Sequence, residues 1–214
     1  MPKLIRIFFS IVVFVILSNN YLILAQGEQG IDEAIFALKS KNYEKAILIY
    51  SDLIANYDSY APAYYGRALA HYNLGENSKA HSDFENAIKL NKNYSEAYYG
   101  IGLVNLQEGK NTLAISNLTK ALEINPRDDG IFYARGLAYY LNSNYNSAEK
   151  DFTSAIEKNP NNALAYYGRG ITNYQMKNFD GAKLDFNYFI MKFGDFGELR
   201  AECERLLQVI AATK

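Results

Sequence analysis

Small and large apolar residues return along this chain at a fixed interval. Counted in steps of 34 from Gly27, the segments 27–60, 61–94, 95–128, 129–162 and 163–196 align without a gap. A fixed period of this length marks an array of like structural units. Position 8 of the count reads Ala34, Ala68, Gly102, Gly136 and Gly170, and position 20 reads Ala46, Ala80, Ala114, Ala148 and Ala182. Small residues let two helix backbones approach, so these positions predict a helix–helix crossing. Position 24 is always large and apolar: Tyr50, Phe84, Leu118, Phe152 and Phe186. Turn residues separate the two apolar stretches at Leu74-Gly75-Glu76-Asn77, Glu108-Gly109-Lys110-Asn111 and Asn142-Ser143-Asn144. Asn and Ser there can accept the free N–H groups that open the second helix, and Asp128-Asp129 can cap a first helix in the same way. Pro126 and Pro160 stand at position 32, where a helix should stop. Each repeat thus predicts a helix, a tight turn and a second helix packed antiparallel.

The pattern resembles the tetratricopeptide repeat family. The residues that carry the likeness are the aromatics Tyr64, Tyr98, Phe132 and Tyr166 at position 4, the small residues at 8 and 20, and the large apolar residue at 24. Ala87, Ala121 and Ala155 at position 27 and the prolines at 32 complete it. The likeness spans 27–196 and implies an all-α, right-handed α-solenoid of five helix-turn-helix repeats, with a concave face built from the first helices. Repeat 1 (27–60) is degenerate, with Gly30 at position 4 and Leu53 at 27; repeat 5 (163–196) has Phe189 at 27 and Gly194 at 32. Terminal repeats lack a neighbour on one face and depart from consensus for that reason. After them, 197–214 carries Leu199, Cys203, Leu206, Leu207 and Ile210 on one helical stripe. That stripe predicts a C-terminal capping helix, with Phe189 packed against it.

Charge follows the same period. Position 7 is Arg67, Ile101, Arg135 and Arg169 in repeats 2 to 5, and position 23 is Asp83, Asn117, Asp151 and Asp185. Arg occurs only with Asp, and Ile only with Asn. The pairs Arg67–Asp83, Arg135–Asp151 and Arg169–Asp185 are therefore predicted to bridge the two helices of one repeat.

The resemblance also implies a site. In the family, positions 2, 5, 9, 12 and 13 of the first helix face the concave groove. Here those positions include Tyr65, Tyr72, Tyr99, Leu103, Tyr133, Leu137, Tyr140, Tyr167 and Tyr174. Tyr suits binding surfaces, being large, fairly rigid, apolar on its face and polar at its tip. The plainer alternative is solenoid packing with exposed hydroxyls, and the sequence leaves both open. The carboxylate clamp of some family members, Lys at 5 and Asn at 9, is absent from every repeat.

The remaining features narrow the function. Net charge is −1, with 22 basic against 23 acidic residues, which argues against nucleic acid as a partner. Cys203 is the only cysteine and His71 and His81 the only histidines. They make no metal set, and read as a core thiol, a packing residue and a surface residue. No nucleophile elbow, phosphate loop or zinc-protease motif occurs. Residues 1–25 run from Lys3 and Arg6 through apolar Ile7–Leu17 to Ala25, the order of a secretory signal cleaved after Ala25. Left uncleaved, residues 4–24 would tether the chain to a membrane. The expectation is an exported protein, periplasmic or extracellular, or membrane-anchored and facing outside the cytoplasm. It would be a non-catalytic adaptor or scaffold in the cell envelope that binds a protein or peptide, without metal or small-molecule cofactor. The alternatives are a homo-oligomeric structural subunit stacking through an incompletely capped end and, more remotely, an enzyme.

Overall fold

The computed structural model describes residues 30–57, 59–193 and 196–213, so the signal or tether expected within 1–25 lies outside the described residues. The described residues form eleven helices and no strand. These are α1 over 30–39, α2 Tyr43–Asn56, α3 Ala61–Asn73, α4 Asn77–Leu90, α5 Ser95–Gln107, α6 Asn111–Ile124, α7 Asp129–Leu141, α8 Tyr145–Lys158, α9 Ala163–Gln175, α10 Phe179–Lys192 and α11 Gly197–Ala212. The fold is all-α, of the α-solenoid class of helical repeats. Two helices fall in each 34-residue repeat, and α11 follows the last. The chain divides into two compact units, Met1–Asn91 with α1 to α4 and Lys92–Lys214 with α5 to α11.

The tight turn inside each repeat is set by two positions. Position 15 has left-handed backbone throughout: φ is 76° at Gly75 and 70° at Gly109, but also 58° at Lys41, 59° at Ser143 and 61° at Lys177. Position 16 then caps the second helix. Asn42, Asn144 and Asn178 accept hydrogen bonds from the backbone N–H of Lys45 (3.2 Å), Ser147 (3.4 Å) and Gly181 (3.2 Å). Asn77 and Asn111, expected to serve as caps, instead begin α4 and α6 one residue later, behind Glu76 and Lys110, which make no side-chain cap. The left-handed residue fixes where the cap falls, and no other position suffices. Asp128 does cap α7, accepting from Ile131 N–H at 3.2 Å.

Packing in both compact units turns on the side chain at position 24. In the first, Tyr50 of α2 is buried with Ala63 and Ala70 of α3. A Cβ on Gly66 would overlap the Tyr50 ring, so only glycine admits it. In the second, the Phe152 ring would meet a Cβ on Gly136 at 3.0 Å and on Gly168 at 2.7 Å. It therefore seats against the first helix of its own repeat and that of the next. Each such burial contributes roughly 1.5–3 kcal/mol. Repeat 1 compensates for its missing aromatic: Leu53 is buried and would touch a Cβ on Gly30 at 3.2 Å. At the other end Phe186 and Phe189 of α10 are buried with Cys203, Leu206 and Ile210 of α11. Burial pushes the Cys203 thiol up to about 11.

Gly168→Ala adds helix propensity, worth up to about 1 kcal/mol, yet forces a Cβ into the Phe152 ring. Urea unfolding of this variant is expected to show a net loss of about 1–3 kcal/mol. Gly197→Ala, where a Cβ meets nothing within 4 Å, is expected to stay within about 0.5 kcal/mol of the parent.

Candidate functional site

The three arginines at position 7 each hold two neighbours. Arg67 Nε and Nη2 donate to Asp83 Oδ2 and Oδ1 at 2.7 and 2.8 Å, and Nη1 donates to Ser51 Oγ at 3.1 Å. Arg135 makes the same fork to Asp151 (2.7 and 2.9 Å) and reaches Thr119 Oγ1 at 3.1 Å. Arg169 grips Asp185 (3.0 and 2.7 Å) and Thr153 Oγ1 at 3.1 Å. The carboxylates are nearly buried, at 7%, 8% and 6% side-chain exposure, so each needs its bidentate partner. The aromatic at position 4 lies over the same guanidinium: Tyr64, Phe132 and Tyr166 sit 5.8, 5.9 and 5.8 Å from it. Ser51, Thr119 and Thr153 belong to the second helix of the preceding repeat, so one arginine joins three helices. Sequence reasoning missed these hydroxyls, although each stands sixteen residues before its arginine, as the aspartate stands sixteen after.

Tyrosines line the first helices in each compact unit. In the first unit Tyr65 and Tyr72 of α3 are half-buried, and the Tyr65 ring packs on Phe84 at 5.8 Å. In the second unit α5 touches α7 and α7 touches α9, so the first helices of successive repeats share one face. Tyr99 and Leu103 pack against the α6–α7 core, and Leu137 is half-buried on α7. The Tyr133 ring lies 5.9 Å from Phe152 and the Tyr167 ring 5.9 Å from Phe189. Position 5, expected to turn away from the core, thus rests one side of its ring on it. Tyr140 and Tyr174 at position 12 instead meet aromatics that open the second helices, Tyr145 at 5.6 Å and Phe179 at 5.9 Å.

Electrostatics show which groups converge. The Tyr167 phenol is raised first by burial, then by Glu202, Cys203, Tyr140 and Tyr133. Tyr133 is raised by burial. The Arg205 guanidinium is raised by its bond to Glu202 and, more weakly, by Tyr174 and Tyr167. The capping helix therefore sets the Glu202–Arg205 pair, 2.6 Å apart, within electrostatic reach of Tyr167 and Tyr174 of α9. Neither residue was expected there, because the apolar stripe of α11 indicates only what it buries.

Little else in the chain suggests bond-making chemistry. His71 is buried, with Nδ1 2.5 Å from a Glu76 carboxylate oxygen and Nε2 4.0 Å from Asp83. His81 is half-buried, 3.8 Å from Glu85. Among the described residues no cluster of three or more His, Cys, Asp or Glu could hold a metal ion, and no helix is long and apolar enough to cross a membrane.

Residues 65–129 and 131–162 each match a family model described as tetratricopeptide repeat. No curated protein matches the chain. Among solved structures it is similar to residues 41 to the end of MamA from Desulfovibrio magneticus RS-1, with TM-score 0.72, 20% identity and coverage of 80% of this chain and 97% of that one. It is also similar to YrrB, described as a TPR protein with an unusual peptide-binding site (TM-score 0.68, 23% identity, 82% and 90% coverage). TTC0263, a thermophilic TPR protein in Thermus thermophilus, gives TM-score 0.68 at 16% identity, with 85% and 99% coverage. At these identities the likeness is one of fold.

Arg135→Ile alone strands the Asp151 carboxylate and is expected to cost roughly 2–4 kcal/mol in urea unfolding. Arg135→Ile with Asp151→Asn reproduces the pair that repeat 3 carries, and is expected to recover most of that loss. Alkali offers a second check. Tyr50, Tyr133 and Tyr167 are raised from the ordinary 10.0, Tyr50 to about 12. The fold retains the protonated phenols, so their contribution is complete below pH 10 and is lost as pH rises toward about 12. Helical circular dichroism is expected to hold to that lower bound and fall beyond it, with the last tyrosinate absorbance appearing as the helices melt.

Proposed function

The chain belongs to the tetratricopeptide repeat family, and from that premise we propose that it is an exported adaptor that holds a peptide segment of a protein partner on the tyrosine face of α5, α7 and α9. Tetratricopeptide folds generally mediate protein–protein interaction and are generally non-catalytic, which makes the chain an interaction scaffold at the coarse level. The finer reading is carried by one observation: the half-buried rings of Tyr133 on α7 and Tyr167 on α9 rest on Phe152 and Phe189 along the face that α7 and α9 share, and Tyr140 of α7 and Glu202 of α11 also act on the Tyr167 phenol. Half-buried rings with polar tips offer contact area at low entropic cost. Apart from Glu96 at position 2 of α5 and the Glu202–Arg205 pair, the face carries no charge, so the segment it suits is mainly apolar to aromatic. YrrB, of similar fold, is described as having a peptide-binding site, and a peptide is the ligand we assign here. Export rests on the charged, apolar, then small order of residues 1–25, and the cell envelope is the compartment that follows.

The test is capture from the envelope of the host with the full chain as bait, followed by titration of the captured partner. Tyr140→Ser with Tyr174→Ser is the informative variant, because these rings meet Tyr145 and Phe179 at the start of the second helices, and unchanged circular dichroism verifies that the variant folds. An affinity loss of about tenfold or more is expected. A partner bound equally by both forms would move binding off this face.

A further inference from the structure

The first helix breaks a rule that the other repeats keep. Position 10 holds Ala70, Val104, Ala138 and Thr172 in repeats 2 to 5, each 0% exposed; in repeat 1 it is Phe36, 70% exposed. Ala70 is buried with Tyr50 and Leu53 of α2, and Ala138 with Leu118 and Ala121 of α6. This is the face on which a first helix receives the second helix of the repeat before it. Position 6 agrees: Gly66 and Gly168 there make room for the Tyr50 and Phe152 rings, whereas repeat 1 has an exposed Asp32. The outer face of α1 therefore cannot seat another repeat's ring. At the opposite end α11 covers repeat 5 and turns Glu198, Ala201, Glu204 and Gln208 outward. End-to-end stacking, the alternative expected from sequence, would have to proceed without the glycine seat that position 6 offers in repeats 2 and 5.

We propose that α1 is a two-fold self-association surface, on which α1 of a second copy packs antiparallel with Phe36 against Phe36. Asp32, Phe36 and Lys39 lie at i, i+4 and i+7, on one stripe of the helix, and all three are exposed. With Phe36 on the axis, an antiparallel pair sets Asp32 of each copy opposite Lys39 of the other. Acid, aromatic, base is a self-complementary order, and an isologous interface requires one. Glu33 is already held by Lys45 at 2.8 Å, while neither Asp32 nor Lys39 forms an ion pair with another described residue. A helix of this length spans only ~15 Å. That is small against the ~800 Å² per partner of a stable interface, so the dimer forms at micromolar concentration. Lys39 stands at position 13, one of the groove positions, but the tyrosine face proposed above is built from α5, α7 and α9, so the inference on α1 does not depend on it.

Sedimentation velocity on the full chain in mild detergent, from about 1 to 100 μM, tests it. A monomer–dimer equilibrium is expected for the parent. Phe36→Ser and Lys39→Asp are each expected to weaken it about tenfold or more. Asp32→Lys combined with Lys39→Asp restores the opposite charges and is expected to return the dissociation constant to within about threefold of the parent. All three residues are exposed, and unchanged circular dichroism verifies that the variants fold. A monomer throughout the range, an assembly larger than a dimer, or a double variant no better than Lys39→Asp would overturn the proposal. So would a monomer that floats with lipid vesicles only when Phe36 is present. Capture of a partner on the tyrosine face is expected to be the same for the parent and for Phe36→Ser, so that this inference and the proposed function fail separately.

Discussion

One side chain per repeat needs room, and the rest of the array follows from making it. The ring or leucine at position 24 leaves its own helix and presses on the backbone of a facing first helix. Protein interiors are packed to crystal density, so that contact is possible only where the facing residue is glycine or alanine. Phe152 shows both halves of the arrangement, with Gly136 of its own repeat on one side and Gly168 of the next on the other. The same ring closes a hairpin and attaches its neighbour. Cohesion then becomes a sum over adjacent repeats, and the ends are where the sum must be completed by other means. Repeat 1 does so with Leu53 over Gly30, and repeat 5 with Phe189 beneath α11.

The arginines act on the same junctions in a different way. A carboxylate as enclosed as Asp151 would be costly without a partner, and the desolvation of a paired charge offsets much of the attraction. The net gain in stability is modest; what three directional bonds supply is register. Arg135 can reach Thr119 and Asp151 together only when three helices are in step. Repeat 3 shows that the set changes as a whole: sixteen residues to either side of Ile101 stand Glu85 and Asn117, and neither a hydroxyl nor an acid remains in the places that Thr119 and Asp151 hold around Arg135.

Much of this was legible in the sequence, and the rest was hidden for identifiable reasons. Period, helix order and the small residues at 8 and 20 could be read because each repeat restates them. The Arg and Asp at 7 and 23 could be read because both lie in one repeat and vary together. Ser51, Thr119 and Thr153 escaped because they are one repeat back, and a count confined to single repeats separates them from their arginines. Gly66 and Gly168 at position 6 escaped for the same reason. The caps were placed one residue late at Asn77 and Asn111 because left-handed backbone at position 15 is adopted by Lys41, Ser143 and Lys177 as well as by glycine, so residue type alone does not locate the turn.

The tyrosine face reconciles the packing seen in the structure with the binding proposed above. A tyrosine at position 5 leaves room for both, since one side of the ring lies on Phe152 or Phe189 while the rest of the side chain stays half-exposed. Those rings are held in place by the core and present a rigid, common surface. Selectivity must then come from groups the core does not constrain. Tyr140 and Tyr174 meet the aromatics that open the second helices, and Glu202 and Arg205 stand on a helix outside the repeat pattern altogether. On the proposed reading, a cap that closes the array also selects what the array holds, because it brings opposite charges within reach of the α9 tyrosines.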